Sequence, residues 1–118
     1  MTKNNKRIND RVTSINLISY VCTDSHDKII ENGMGKTLNV SESGIMLETH
    51  NQIDSSLNLL LSIGLEEVLI DIKGKIVHST PVDKGKYHTG IQFIDLDDNS
   101  RKKLAKFILE FKSSQKSI

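Results

Sequence analysis

The sequence predicts an all-β domain: a small antiparallel β-barrel of six or seven short strands, with one C-terminal α-helix. Three observations predict it. Two-residue alternation recurs along the chain, most clearly at Leu57, Leu59, Leu61 and Ile63 and at Tyr87, Thr89, Ile91 and Phe93. Clusters of turn-forming residues separate these segments. Only the last segment has a helical period, with Leu104, Phe107, Ile108 and Phe111 at i, i+3, i+4 and i+7.

Each element can be justified in order. Residues 1–11 are polar, with Ile8 the lone apolar residue after Met1, and predict an exposed, mobile arm. The run VTSINLISYVCT, residues 12–23, is rich in β-branched residues and predicts a strand. DSHDKIIENGMG carries turn chemistry, with Gly33 and Gly35 expected to close a hairpin around Ile29 and Ile30. Strands are expected at about 36–40 and 45–49, joined by SESG, and HNQIDSS is a polar connection. Leu60 interrupts the alternation of residues 57–63, so both faces of that strand are expected to be partly covered.

Glu66 and Glu67 mark a turn. Val68, Ile70, Ile72, Ile76 and His78 then share one face, and Gly74 between them predicts a bulge or bend. Pro81 is expected to end this strand, and Gly85 to supply a positive φ in the following turn. The terminal helix opens with Asp97 and Asp98 and carries its cations further on, as the helix dipole favours. Its apolar stripe must pack on something, which places it against the barrel. The barrel with its helix is assigned to residues 12–112, and residues 113–118 form a polar tail.

Composition excludes several classes of function. The 118 residues suffice for one domain with one core. A net charge of +1 argues against a strongly basic nucleic-acid binder but leaves room for a local basic patch. The absence of Trp and the 4% aromatic content argue against a stacking platform for single-stranded nucleic acid. No apolar run is long enough to span a membrane as a helix, and the N-terminus has no signal-peptide core. Cys22 is alone, so no disulfide forms and a cytoplasmic location is expected.

Catalytic patterns are missing. His26, His50, His78 and His88 are scattered and make no metal-ligand spacing with each other or with Cys22. Cys22 lies mid-strand and reads as a small buried hydrophobe. Asp95, Asp97 and Asp98 read as a helix start. There is no nucleophile elbow and no phosphate-binding glycine loop leading into a helix. The chain reads as a binding module that needs no cofactor.

Two short stretches point to a ligand. Of 16 basic residues only three are arginine, and Arg7 and Arg11 stand four positions apart near the N-terminus. Arg offers a planar fork of donors that fits two phosphate oxygens, or O6 and N7 of guanine, whereas Lys is a point charge. The second stretch is NVSESG, residues 39–44. Asn39 and Ser41 can point to one side of a strand end and offer an amide and a hydroxyl. Gly44 lacks a Cβ, which permits a close backbone approach or a left-handed turn. Taken singly, the first also fits solvated charges on an arm, and the second an ordinary hairpin turn.

Together, the two stretches resemble the PilZ domain family. That family is marked by RxxxR in an N-terminal arm and (D/N)xSxxG on a barrel, which match Arg7–Arg11 and Asn39–Gly44 here in order and separation. The stretch TGIQFIDLDDNSRKKLAKFI, residues 89–108, is similar to the strand and helix that end such domains. The resemblance covers nearly the whole chain. It implies a six- or seven-stranded barrel with a C-terminal helix, and binding of cyclic di-GMP. By the same resemblance Arg7 and Arg11 clamp phosphate and the guanine Hoogsteen edge, and Asn39 and Ser41 bond a guanine or phosphate from the barrel. Gly44 lets the turn fit beside them.

Asn39 stands where the family often has Asp, so it lacks the charge that would strengthen bonds from guanine N1 and N2. Lys6 precedes Arg7, and in this family a basic neighbour points to a stacked pair of ligands rather than one. Arg101 lies outside both motifs and reads as a solvated helix residue. The leading expectation is therefore a bacterial cytosolic cyclic di-GMP receptor that signals to a partner protein. The alternative is a protein-interaction module of the same fold that binds no nucleotide. Some PilZ-like modules of that sort have lost the arginines, whereas this chain keeps both. An RNA-binding barrel is disfavoured by the charge and the few aromatics.

Overall fold

The computed structural model describes residues 17–65 and 68–116. It holds six strands, β1 (Leu17–Thr23), β2 (Ile29–Val40), β3 (Gly44–Thr49), β4 (Asn58–Leu65), β5 (Val68–Asp83) and β6 (Lys86–Ile94), followed by helix α1 (Asp98–Lys116). The strands form a closed barrel in the order β1-β2-β3-β6-β5-β4, and every pairing is antiparallel. The expected arm of residues 1–11, the expected strand residues 12–16 and the turn assigned to Glu66 and Glu67 lie outside the described residues.

Alternation builds the wall. Ile18, Tyr20 and Cys22 of β1 point inward, as do Leu59, Leu61 and Ile63 of β4, Ile70, Ile72 and Ile76 of β5, and Ile91 and Phe93 of β6. All belong to one core cluster. Leu60, which breaks the pattern of β4, faces out and is 38% exposed.

Both barrel ends are closed. At one end Ile53, in the β3–β4 connection, is buried in the core. A line of hydroxyls holds that connection down. Thr49 Oγ1 donates to the Asn51 carbonyl at 2.9 Å. Thr89 Oγ1, 3.0 Å away, must therefore donate to Thr49, and Ser79 Oγ, 2.9 Å from Thr89, must donate to Thr89. Ser79 in turn accepts the Ile53 amide at 3.0 Å, so the hydroxyls of this line are matched in one direction. At the other end, where β6 finishes, α1 lays Leu104, Phe107, Ile108 and Phe111 into the same core. Asp97 starts the helix: its Oδ1 accepts the Ser100 amide at 2.7 Å and its carbonyl the Arg101 amide at 2.9 Å. The Ser100 bonds hold the Asp97 carboxyl below the usual carboxylate range, so this cap persists above that range and weakens as acid protonates it. The helix takes in residues 113–116 of the expected polar tail.

The structure corrects four local expectations. First, Gly33 and Gly35 close no hairpin. They lie within β2, opposite Tyr20 and Ile18 of β1. A Cβ on Gly33 would come within 2.9 Å of the Tyr20 hydroxyl, so glycine there makes room for an inward ring. The turn is made by residues 24–28 instead: Asp24 Oδ1 accepts the amides of His26 and Lys28, and Asp27 takes φ 62°.

Second, Gly74 makes no bulge. It pairs in register with Leu59 and Phe93, and the irregularity falls two residues later, between Ile76 and His78. Third, that bulge turns His78 outward, so it does not share the inward face of Ile76. Fourth, Pro81 does not end the strand. It pairs with Tyr87 inside β5, past Lys75, the last β5 residue paired with β4. Beyond that point β6 is its one strand partner, which is where a proline is tolerated. Gly85 has φ +65°, as the turn requires.

Of the inward-facing glycines, Gly74 has the least room. A Cβ there would come within 2.5 Å of Ile91 Cγ2 and 3.3 Å of Leu59 Cδ2. Gly74→Ala should destabilise the fold by about 1–3 kcal/mol through overpacking. Thermal unfolding should show a midpoint lower by roughly 4 °C or more. Gly64→Ala is the comparison: the nearest atom to its Cβ would be 3.9 Å away, and its midpoint should not fall.

Candidate functional site

The sequence-predicted residues Asn39, Ser41 and Gly44 converge on the outer wall. Asn39 and Ser41 are exposed on either side of inward-pointing Val40, so both face out. They line a groove of about 260 Å³ with Gly44, Met46, Val77, His78 and Gly90 among its other walls. The groove runs across β2, β3, β6 and β5. Lys6, Arg7 and Arg11, the other predicted site residues, lie outside the described residues. Arg101 is exposed on α1.

Local bonding sets the turn that ends β2. The Ser41 amide donates to the Gly44 carbonyl at 2.8 Å, and the Phe93 amide of β6 donates to the Ser43 carbonyl at 2.9 Å. Ser41 Oγ accepts the Ser43 amide at 3.3 Å and stands 3.2 Å from Ser43 Oγ. Ser41 is exposed as a residue, and its hydroxyl also donates to the Gly44 carbonyl at 3.4 Å. Of the two reasons for glycine at 44, close approach is the operative one. Its φ is not positive, and a Cβ would collide with the Ile91 carbonyl oxygen of β6. Gly44 thus seats the turn against β6 and thereby fixes Ser41.

Sequence reasoning missed the far wall of the groove. His78 was expected to face inward with Ile76, whereas the Val77 bulge sends it out. Bulges leave a weak sequence signal, and the one available, Gly74, marked a different place. The described lining carries neither Lys nor Arg. It offers an amide, a hydroxyl, an imidazole and apolar surface, which suits a neutral base edge or face. A second hollow of about 420 Å³, lined by Gln52, Asp54, Ser55 and Ser79, adjoins it across Val77 and His78.

Other reactive groups are unsuited to catalysis. Burial, with the nearby Glu31 charge, pushes the Cys22 thiol up to about 11, so it stays protonated and unreactive at neutral pH. Among the described residues no three His, Cys, Asp or Glu side chains are placed to hold a metal ion. No helix among them is long and apolar enough to cross a membrane.

The closed barrel, its terminal helix and the (D/N)xSxxG turn on its outer wall define a class, and comparison with known proteins gives the same one. The chain matches the PilZ domain over residues 5–110, and it belongs to that family. PilZ domains bind cyclic di-GMP and are generally non-catalytic. Among solved structures, the chain is similar to K. pneumonia MrkH in its apo state, with a TM-score of 0.58 at 15% identity. That similarity covers 85% of this chain and 48% of MrkH, so the chain spans about half the length of that protein. At this identity the likeness is one of fold. No curated protein matches the chain.

Proposed function

We propose that this PilZ domain is a cyclic di-GMP receptor: a non-catalytic module whose N-terminal segment closes over the ligand and whose altered surface is read by a partner protein. One observation carries the reading. The groove beside Asn39 and Ser41 has no Lys or Arg among its described walls, yet the ligand carries two phosphodiester charges. Cations for such a ligand would come from outside these walls, and the RxxxR stretch that precedes β1 in the sequence would supply them. In an antiparallel pair β1 begins beside the end of β2, so Leu17 enters the barrel at the end that carries the Ser41 turn. Arg11 lies six positions before Leu17, enough chain to reach about 20 Å. Leu17 pairs with Lys36, and Ser41, just past β2, lies further along by roughly 17 Å of strand, which that length of chain can span.

Arg7 and Arg11 would then grip phosphate and the O6 and N7 edge of guanine. Asn39 and Ser41 would bond the ligand from the barrel, Gly44 holding their turn in place. Lys6 adds a cation beside the pair and favours two stacked ligands over one. Asn39 in place of Asp gives up charge-assisted bonds to guanine N1 and N2, which lowers affinity.

Calorimetric titration tests specificity. Cyclic di-GMP should bind at about micromolar Kd or tighter, roughly −8 kcal/mol. GTP, cyclic di-AMP and an RNA oligomer should bind far more weakly. Equal binding of cyclic di-AMP would refute the reading, because adenine lacks the O6 acceptor. No binding of any nucleotide would leave the protein-interaction module as the function.

Arginine chemistry is tested by substitution. Arg7→Lys and Arg11→Lys should each weaken binding nearly as much as Arg→Ala, since both lose the fork. Thermal unfolding should be unchanged, because neither residue belongs to the barrel's described strands. Arg101→Ala should bind as wild type does. Wild-type affinity in Arg11→Lys would replace bidentate recognition with a simple charge role.

The closing step is an order–disorder change of a segment. Ordering each residue costs on the order of 1–2 kcal/mol, drawn from the ligand contacts. Amide hydrogen exchange across residues 4–13 should slow when cyclic di-GMP is added. Equal protection with and without bound ligand would place the switch outside this segment.

A further inference from the structure

Register places four residues in one row across the outer wall. Asn39 of β2 pairs with Met46 of β3, Met46 with Gly90 of β6, and Gly90 with His78 of β5. Residues that pair directly in a sheet share a face. His78 therefore stands in the same outward row as Asn39, three strand spacings or about 14 Å away.

Its ring lies closer than that. A Cβ built on Gly90 would come within 2.6 Å of His78 Nε2 and 3.0 Å of both Cδ2 and Cε1. Three ring atoms are almost equally close, as a ring laid face-down on the glycine requires. The imidazole thus leans from β5 over β6, about 10 Å or two spacings from Asn39. It is why Gly90 is buried although it faces outward. One face of the ring is covered by backbone, and His78 remains exposed overall. Beside it stand Met46 and Val77, the latter 60% exposed.

We propose that His78 is a base-stacking residue of this groove, its imidazole receiving the face of one guanine of cyclic di-GMP. The proposal rests on the reading of the groove as a cyclic di-GMP site and adds a contact from the opposite wall. The surroundings select a base over a phosphate. Val77 and Met46 present apolar surface that a purine covers and a phosphate does not. His78 is the one ring among the described residues of the groove, and every base has a π-face that a flat ring can take up. A ligand with two guanines can place one on His78 while its remainder reaches Asn39 and Ser41.

The test is titration of wild type, His78→Ala and His78→Phe with cyclic di-GMP, read by calorimetry and by the guanine H8 proton resonance. Stacking predicts about a ten-fold loss of affinity in His78→Ala. It predicts affinity within about three-fold of wild type in His78→Phe, which keeps a flat ring and cannot hydrogen-bond. The upfield ring-current shift of one H8 should persist in the Phe variant and vanish in the Ala variant. The side chain is exposed, so unfolding midpoints should be unchanged. Wild-type binding by His78→Ala overturns the proposal, as does an equal loss in both variants, which would mark a hydrogen-bonding or charge role. No binding by wild type itself would strike the cyclic di-GMP reading, an outcome distinct from either.

Discussion

The pairing of β1 with both β2 and β4 closes the sheet, and the rest of the molecule is arranged around that closure. A closed barrel has no edges to protect, but it fixes how much side-chain volume the interior can hold. Six strands enclose little space. Large aliphatic residues fill most inward positions, and some positions must therefore give way, among them Gly33 beside Tyr20 and Gly74 between Leu59 and Ile91. Closure also leaves two open ends. Ile53 under its line of hydroxyls fills one, and the apolar stripe of α1 fills the other. With the interior and both ends occupied, the outer wall is what remains for a ligand.

That wall is chemically one-sided. Its groove supplies neutral hydrogen-bonding groups and apolar surface, whereas the arginines that characterise the family stand in the segment that leads into β1. Such a division suits a receptor. In the proposed reading a preformed wall would set which base edge is accepted, and the charged segment would supply the attraction to phosphate. If each half alone holds the ligand weakly, occupancy depends on the two acting together. Under that proposal ligand capture and rearrangement of the segment would be one event, and a partner protein would read its outcome.

How much of this was legible in the sequence depended on the period of each segment. β6 with its clean alternation, β4 with only Leu60 out of pattern, and the helix with its four-residue stripe are legible directly, because each puts one face into the core. The Asn39–Ser41–Gly44 turn was legible as a motif, although only the structure decides that Gly44 serves close approach and not a left-handed φ. β2 is longer than its sequence suggests because Gly33 and Gly35 are turn residues by local preference. Tertiary packing overrides that preference: the Tyr20 ring needs the space beside Gly33. Pro81 misled for a related reason. A proline ends a strand that has partners on both sides, and here β4 has already left β5 on one side.

The deepest disagreement, at His78, comes from a single inserted residue. Strand faces alternate with a period of two, so one extra residue exchanges the two faces for everything beyond it. In regular register with Ile76 opposite Ile91, His78 would pair with Thr89 and point into the barrel, and Ser79 would point to solvent. Val77 is the insertion. It lets His78 pair with Gly90 and Ser79 with Thr89, so the ring turns out and the hydroxyl turns in. The same step thereby completes two structures. Inside, Ser79 joins Thr89 and Thr49 and receives the Ile53 amide, which closes one end of the barrel. Outside, the imidazole settles over Gly90 and becomes the far wall of the groove. Flattening the bulge with Val77 kept in the ladder would turn the imidazole inward opposite Thr89 and leave the Ile53 amide without its acceptor. The bulge is therefore held in place from within by the hydroxyl line, and the outward ring is positioned by a constraint that lies in the core.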